Sequence, residues 1–314
     1  MQQRELGRSG ILTAPLVFGG NVFGWTTDEP TSFRLLDAFV DAGFNMIDTA
    51  DVYSHWAPGN HGGESETVIG NWLQRSGKRN QVVIATKVGK DMGDGKKGLS
   101  ARYIRAAMED SLRRLRTDHI DLYQSHEDDP ATPLSKTLGT YADLVKEGKV
   151  RAIGASNYSG ERLAEALEIS LQNAWPRYET LQPLYNLYNR EPFEKELEPV
   201  CLGENIGVIT YSSLASGFLT GKYRSADDLN KSVRGSGMGK FMNERGFRIL
   251  NALDQVAAQL NTTPAAVSLA WLMARPSVTA PIASATNIAQ LELLMSAATL
   301  RLDEAAMALL DATC

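Results

Sequence analysis

Eight short, nearly continuous apolar runs alternate with longer stretches of helical spacing along the 314 residues of the chain. The runs cover residues 16–18, 45–48, 82–86, 120–124, 151–154, 179–182, 207–211 and 278–282. Parallel strands covered on both faces read this way, because neither face meets water. Most starts fall roughly 27 to 38 residues apart, the length of one strand-plus-helix unit. Helices are predicted over 31–42, 65–74, 100–116, 134–147, 159–171, 193–204, 244–260, 261–273, 287–298 and 303–311. In the third, Ile104, Met108, Leu112 and Leu115 recur at spacings of three and four, which places them on one face. Repeated eight times with no break in composition, the pattern predicts a single (β/α)8 barrel domain over residues 1–314.

An open doubly wound sheet is the competing α/β architecture. It carries G-x-G-x-x-G after its first strand. Here the first strand runs into Phe18-Gly19-Gly20-Asn21-Val22-Phe23-Gly24, which does not fit. The excess length falls in three places. Residues 5–12 read as a small hairpin plugging the barrel bottom, residues 220–243 as a polar, glycine-rich lid, and the remainder as extra C-terminal helices. Within the lid, Gly235-Ser236-Gly237-Met238-Gly239-Lys240 looks like a phosphate loop. It lacks the required spacing and the hydroxyl after lysine.

Barrel chemistry gathers where strands end. The second strand ends in Asp48, with Asp51 and Tyr53 just beyond; the third ends in Lys87, the fourth in Gln124-Ser125-His126. A lysine ending a buried strand needs a neutralising partner, and Asp48 is next door. A tyrosine beside that lysine is expected to have a lowered pKa and to serve as a proton donor, with a histidine on the next strand to hold the oxygen that receives the proton. The set suits protonation of a carbonyl oxygen while hydride arrives at its carbon. A Schiff-base lysine at position 87 is the rival chemistry, but it requires a neutral amine.

Seven segments at the strand ends resemble the aldo-keto reductases, in order and across essentially the whole chain. They are Asp48-Thr49-Ala50-Asp51-Val52-Tyr53, Thr86-Lys87, Leu122-Tyr123-Gln124-Ser125-His126, Gly154-Ala155-Ser156-Asn157, Gln182-Pro183-Leu184-Tyr185-Asn186, Tyr211-Ser212-Ser213-Leu214-Ala215-Ser216-Gly217 and Leu219-Thr220-Gly221-Lys222. The likeness extends to bacterial reductases and potassium-channel β-subunits. It implies an NAD(P)H-dependent reductase of an aldehyde or ketone. By position, Tyr53 would be the general acid, tuned by Lys87 and Asp48, and His126 would orient the carbonyl. Ser156, Asn157 and Gln182 would hold the nicotinamide carboxamide, and Tyr211 would stack on its ring. Ser212, Leu214, Ala215 and Gly217 would line the pyrophosphate, with Lys222 and Arg234 closing over it. Ser284, Thr286 and Gln290 would approach the adenosine 2′-phosphate. Trp25 and Trp56, after strands one and two, would wall the substrate pocket.

Two departures bear on the cofactor. Leu293 and Leu294 stand where relatives carry Glu and Asn on the adenine side, and Gln290 stands where some carry arginine. NADPH is expected, with NADH or dual use open. The family's channel subunits also keep open a nucleotide-binding regulatory role.

Composition excludes other classes. With 37 acidic and 32 basic residues, the formal charge of −5 does not draw the chain to nucleic acid or an anionic membrane. No apolar run reaches the length of a membrane span. Two cysteines, Cys201 and Cys314, read as free thiols, and a cytoplasmic location is expected. The His126-Glu127-Asp128-Asp129 cluster lacks the spacing of a metal site, so no metal is expected.

Overall fold

The computed structural model describes residues 2–313. After two short strands, β1 (Arg4–Glu5) and β2 (Leu12–Thr13), come eight parallel ones: β3 (Val17–Gly19), β4 (Met46–Asp48), β5 (Val83–Val88), β6 (Ile120–Ser125), β7 (Val150–Ser156), β8 (Tyr178–Gln182), β9 (Gly207–Thr210) and β10 (Val278–Ala283). The eight close into a barrel in the order β10-β3-β4-β5-β6-β7-β8-β9. The (β/α)8 expectation holds, and each strand lies within two residues of its predicted place.

Helices α1 (Glu29–Asp41), α2 (Glu64–Ser76), α3 (Ala101–Leu115), α4 (Leu134–Lys146) and α5 (Gly160–Gln172) surround the first half. Their starts are chemically marked. The Asp28 carboxylate accepts from Thr31 N–H at 2.9 Å, and Ser100 and Ser159 cap α3 and α5 in the same way. The second half carries α6 (Glu198–Gly203), α7 (Glu244–Gln259), α8 (Pro264–Ala274), α9 (Ile288–Ser296) and α10 (Glu304–Asp311). The helix expected over 193–204 begins as a π-turn, Phe193–Leu197. Pro199 has no N–H with which to close the next helical bond, and the turn before it widens.

Side chains alternate across each strand, which sorts the barrel wall into two surfaces. Outward residues such as Ile47, Ile84, Tyr123 and Ile153 pack under the helices. Inward residues Val17, Met46, Val83, Ala85, Leu122, Ala152 and Ile209 form a separate inner core. Further along the strands, at even spacing, that inward file reaches Asp48, Lys87, Gln124 and Ser156, and Gln182 ends its strand in the same layer. The interior is therefore apolar below and polar at the C-terminal rim. Gly154 keeps room in the polar layer, since a Cβ there would meet Thr180 Oγ1 at 2.1 Å.

The plug reading also holds. Strands β1 (Arg4–Glu5) and β2 (Leu12–Thr13) pair antiparallel, and Leu6 and Ile11 between them join the inner core. Truncating Leu6 should therefore leave a cavity at the barrel bottom. Leu6→Ala is expected to cost about 2–5 kcal/mol, read as a lower urea midpoint at unchanged slope.

The segment after β9 is more ordered than a bare loop. It holds short 3-10 turns, among them Ala226–Lys231, Gly235–Gly237 and Gly239–Phe241. Buried Tyr223, Met238 and Phe241 anchor it, and Phe241 stacks on Phe218. Cys201 is buried, and its thiol is pushed up to about 12 by that burial, which makes it an inert core residue. Cys314 lies outside the described residues. Among the described residues no helix is long and apolar enough to cross a membrane.

Candidate active site

The polar rim opens into a cavity of about 810 Å³, a size suited to a cofactor with a small substrate. Its floor is the inward file of strand ends. Lys87, fully buried, donates from Nζ to Asp48 Oδ2 at 2.7 Å, to the Thr49 carbonyl at 2.7 Å and to the Tyr53 hydroxyl at 3.1 Å. Gln182 Nε2 donates to the other Asp48 oxygen at 2.9 Å. The turn carrying Tyr53 is fastened to β5 by Thr49 N–H on Ala85 O and Asp51 N–H on Lys87 O. Tyr53 and His126 face each other edge-on at 5.9 Å between ring centroids. Asp48, Tyr53 and His126 line the cavity, and Lys87 supports them from beneath.

Burial works against the charge on Lys87, but Asp48 and Tyr53 outweigh it and hold its pKa above the ordinary lysine value. A protonated amine is no Schiff-base nucleophile, so the lyase reading loses its reactive group. Burial drives His126 well below the ordinary histidine value, with Lys87 and Lys90 adding to the effect. His126 is therefore a neutral imidazole at physiological pH, able to donate one hydrogen bond. Tyr53 corrects an expectation. Lys87 does pull its pKa down, but burial pushes it up by more, and the phenol lies above the ordinary tyrosine value. The sequence names the neighbour; it does not reveal how much water the phenol loses at the floor of the cavity.

The second group of expected residues borders the same space. Ser156 donates to the Gln182 carbonyl at 2.9 Å. Asn157, in left-handed backbone at φ 56°, donates to the His126 carbonyl and accepts from the Tyr211 hydroxyl at 2.8 Å. Ser212, Ala215, Ser216 and Gly217 all have positive φ, a strained run of the kind found at ligand clamps. Ser212, Leu214, Gly217, Lys222, Arg234, Ser284, Thr286 and Gln290 line the cavity. Ala215 does not. Its side chain is buried in the outer core, because the turn at Ser212–Ala215 rotates it inward.

Trp25 and Trp56 stack edge-on at 5.6 Å. Trp56 reaches Tyr53 at 5.9 Å, and the Arg234 guanidinium lies 5.3 Å over the Trp25 ring. Trp56 thus packs directly on Tyr53 and Trp25 packs on Trp56, beside the cavity. The carboxylates after His126 have partners of their own. Asp128 binds Arg162, Asp129 accepts from the Leu99 amide, and Glu127 pairs with Lys90.

Sequence reasoning passed over Asn21 and Lys90, which also line the cavity. Asn21 Oδ1 lies 2.7 Å from Ser284 Oγ. Its position just past the first strand end was the available signal.

The aldo/keto reductase family model matches residues 15–313. The chain belongs to the aldo/keto reductase family. It is 35% identical to the uncharacterized oxidoreductase YrpG of Bacillus subtilis, over 99% of this chain and 95% of that protein. It is 34% identical to the aldo-keto reductase YhdN of the same organism, over 92% of this chain and 84% of that protein. A probable voltage-gated potassium channel subunit beta of rice is 32% identical, over 91% and 88% respectively. Aldo/keto reductases are oxidoreductases of small-molecule carbonyls that use nicotinamide cofactors, and this chain is an oxidoreductase of that class.

Proposed function

We propose that the protein reduces an aldehyde or ketone to an alcohol, using NADPH and a proton from Tyr53. The observation that carries this reading is the Asp48–Lys87–Tyr53 chain of short contacts opening beside a neutral His126. The cavity suits a nicotinamide nucleotide. Ser156, Asn157 and Gln182 offer a carboxamide both donors and acceptors, the Tyr211 ring stands alongside, and Lys222 and Arg234 supply positive charge further along. When bound, the reduced nicotinamide supplies hydride to the carbonyl carbon.

The chain's residues do the rest. His126 donates a hydrogen bond to the carbonyl oxygen and sets its direction. Tyr53 gives the same oxygen its proton. The phenolate left behind is stabilised by Lys87, which Asp48 holds in place. A neutral His126 avoids competing with Tyr53 as acid. The test is loss of nicotinamide absorbance with NADPH and a panel of reactive aldehydes and ketones. Turnover with at least one member is expected; a wholly inert panel would overturn the reading.

The cofactor's far end gives weaker discrimination. Gln290 Oε1 accepts from both Thr286 N–H and Thr286 Oγ1 at 3.0 Å, so it closes its own loop and brings no cation to a 2′-phosphate. Lys231 is held by Asp228 at 2.7 Å. NADPH and NADH affinities are expected to differ by less than roughly a thousandfold, about 4 kcal/mol. Titrating the quenching of tryptophan fluorescence with each cofactor checks this.

A further inference from the structure

Behind the Tyr53 turn, between the outer wall of the barrel and helices α2 and α3, lies a cluster of ionisable groups that the mechanism leaves unused. Asp51 is 1% exposed, and its carboxyl oxygens have no partner of good hydrogen-bond geometry, the adjacent Val52 N–H giving only weak support to its charge. The buried hydroxyls of Tyr103 and Tyr123 are without partners too. Both lie within electrostatic reach of Asp51, Tyr103 from α3 and Tyr123 from β6. Glu66 from α2 and Arg114 from α3 are the main charges acting on Asp51, with Lys87 of β5 a smaller influence from the inner face of the barrel.

Both cations are already engaged. Arg114 donates from Nη2 at 2.6 Å and from Nε at 2.7 Å to Glu66 Oε2, while Thr86 Oγ1 donates to Glu66 Oε1 at 2.6 Å. Lys87 has its three donors on Asp48, Thr49 and Tyr53. One guanidinium therefore stands against two carboxyls, and all its short contacts go to one of them. An unpaired charge buried in protein costs far more than an unpaired neutral group. The second carboxyl is held as a neutral acid.

We propose that Asp51 is a positioning residue for carbonyl reduction: as a neutral acid it leaves the Glu66–Arg114 pair and the Tyr53 turn in place, and its ionisation breaks that packing and displaces Tyr53. The route is short. Asp51 precedes Tyr53 by two residues, and its own N–H is bonded to the Lys87 carbonyl at 3.2 Å. Lys87 has its donors committed on the inner face of the barrel, so an ionised Asp51 turns to Arg114. Taking Arg114 strands Glu66, and the turn that carries Tyr53 moves with Asp51. This rests on Tyr53 being the acid. Burial, and secondarily the charge of Glu66, push the Asp51 carboxyl up to about 8, so the ionisation falls just above neutrality.

The experiment compares wild type with Asp51→Asn, whose amide stays neutral at every pH. With saturating NADPH, wild-type kcat is expected to fall about tenfold between about pH 7 and pH 9, one decade per unit beyond the pKa. In the variant the same ratio should change by less than about twofold. Two further readouts need no turnover and so stand apart from the proposed reaction. The folded protein keeps the Asp51 proton up to about pH 8, whereas the unfolded chain loses it near 3.9. Wild-type stability should therefore decline between these values, and its Tm should fall relative to that of Asp51→Asn as pH rises. In wild type, one aspartate 13Cγ resonance should titrate near pH 8. An alkaline fall shared by both proteins, or no aspartate titrating above pH 6, would overturn the proposal. A titrating aspartate in a protein inert to every carbonyl would instead count against the proposed reaction.

Discussion

Tyr53→Phe is expected to lower kcat for carbonyl reduction by about 10²- to 10⁴-fold, the usual contribution of a positioned general acid. The substitution removes one oxygen and keeps the ring, so the edge-on contacts with Trp56 and His126 survive. Lys87 retains Asp48 Oδ2 and the Thr49 carbonyl, each at 2.7 Å, as acceptors. Cofactor affinity, followed by tryptophan fluorescence, should be unchanged, and KM should move little. A loss confined to kcat is the signature of an interaction made in the transition state. Equal kcat in the two proteins would remove Tyr53 from the reaction.

The second large effect is on Lys87, where chemistry and stability coincide. Lys87→Met fills much of the same volume but leaves Asp48, 1% exposed, without its cation. Removing one partner of a buried ion pair costs about 3–5 kcal/mol. Gln182 still donates to Asp48, which places the cost toward the lower end. Activity should fall at least as far as in Tyr53→Phe, because the phenolate loses the cation hydrogen-bonded to it. Pairing the substitution with Asp48→Asn distinguishes the causes. The double variant should be more stable than the sum of the single losses implies, since the stranded charge is gone, yet it should stay inactive. Additive stability losses would show that the two side chains are not coupled. The pH sense is clear as well. The Lys87 pKa is raised in the folded protein, so the stabilisation carried by its ammonium is complete below the ordinary lysine value and is lost as pH rises through the folded one.

Much of the barrel and of its rim is legible in the chain. Strand runs are contiguous in sequence, and period-two alternation dictates that if Val83 and Ala85 face inward, so does Lys87. The same rule carries Asp48, Gln124 and Gln182 to one layer. What is not legible depends on turns and rotamers. Ala215 follows a left-handed turn, whose sense of rotation the order of residues does not announce. Position after a strand brings Trp25 and Trp56 near the rim, but only the fold packs Trp25 on Trp56 and Trp56 on Tyr53. The lid's polar composition hid Tyr223, Met238 and Phe241, three anchors that fold it onto the protein.

By itself, then, the sequence determined the eightfold strand-and-helix repeat, the closed barrel, and which ionisable groups stand at the strand ends. These follow from local periodicity and from the need to cover both faces of a parallel sheet. Tertiary structure alone decided the protonation of those groups. The upward push on Tyr53, the neutral His126 and the unpartnered Asp51 depend on how much water each has lost and on which charges, distant in the chain, come to face it. Asp51 meets Glu66 and Arg114 across two helices, and only the folded barrel brings the three into one low-dielectric space.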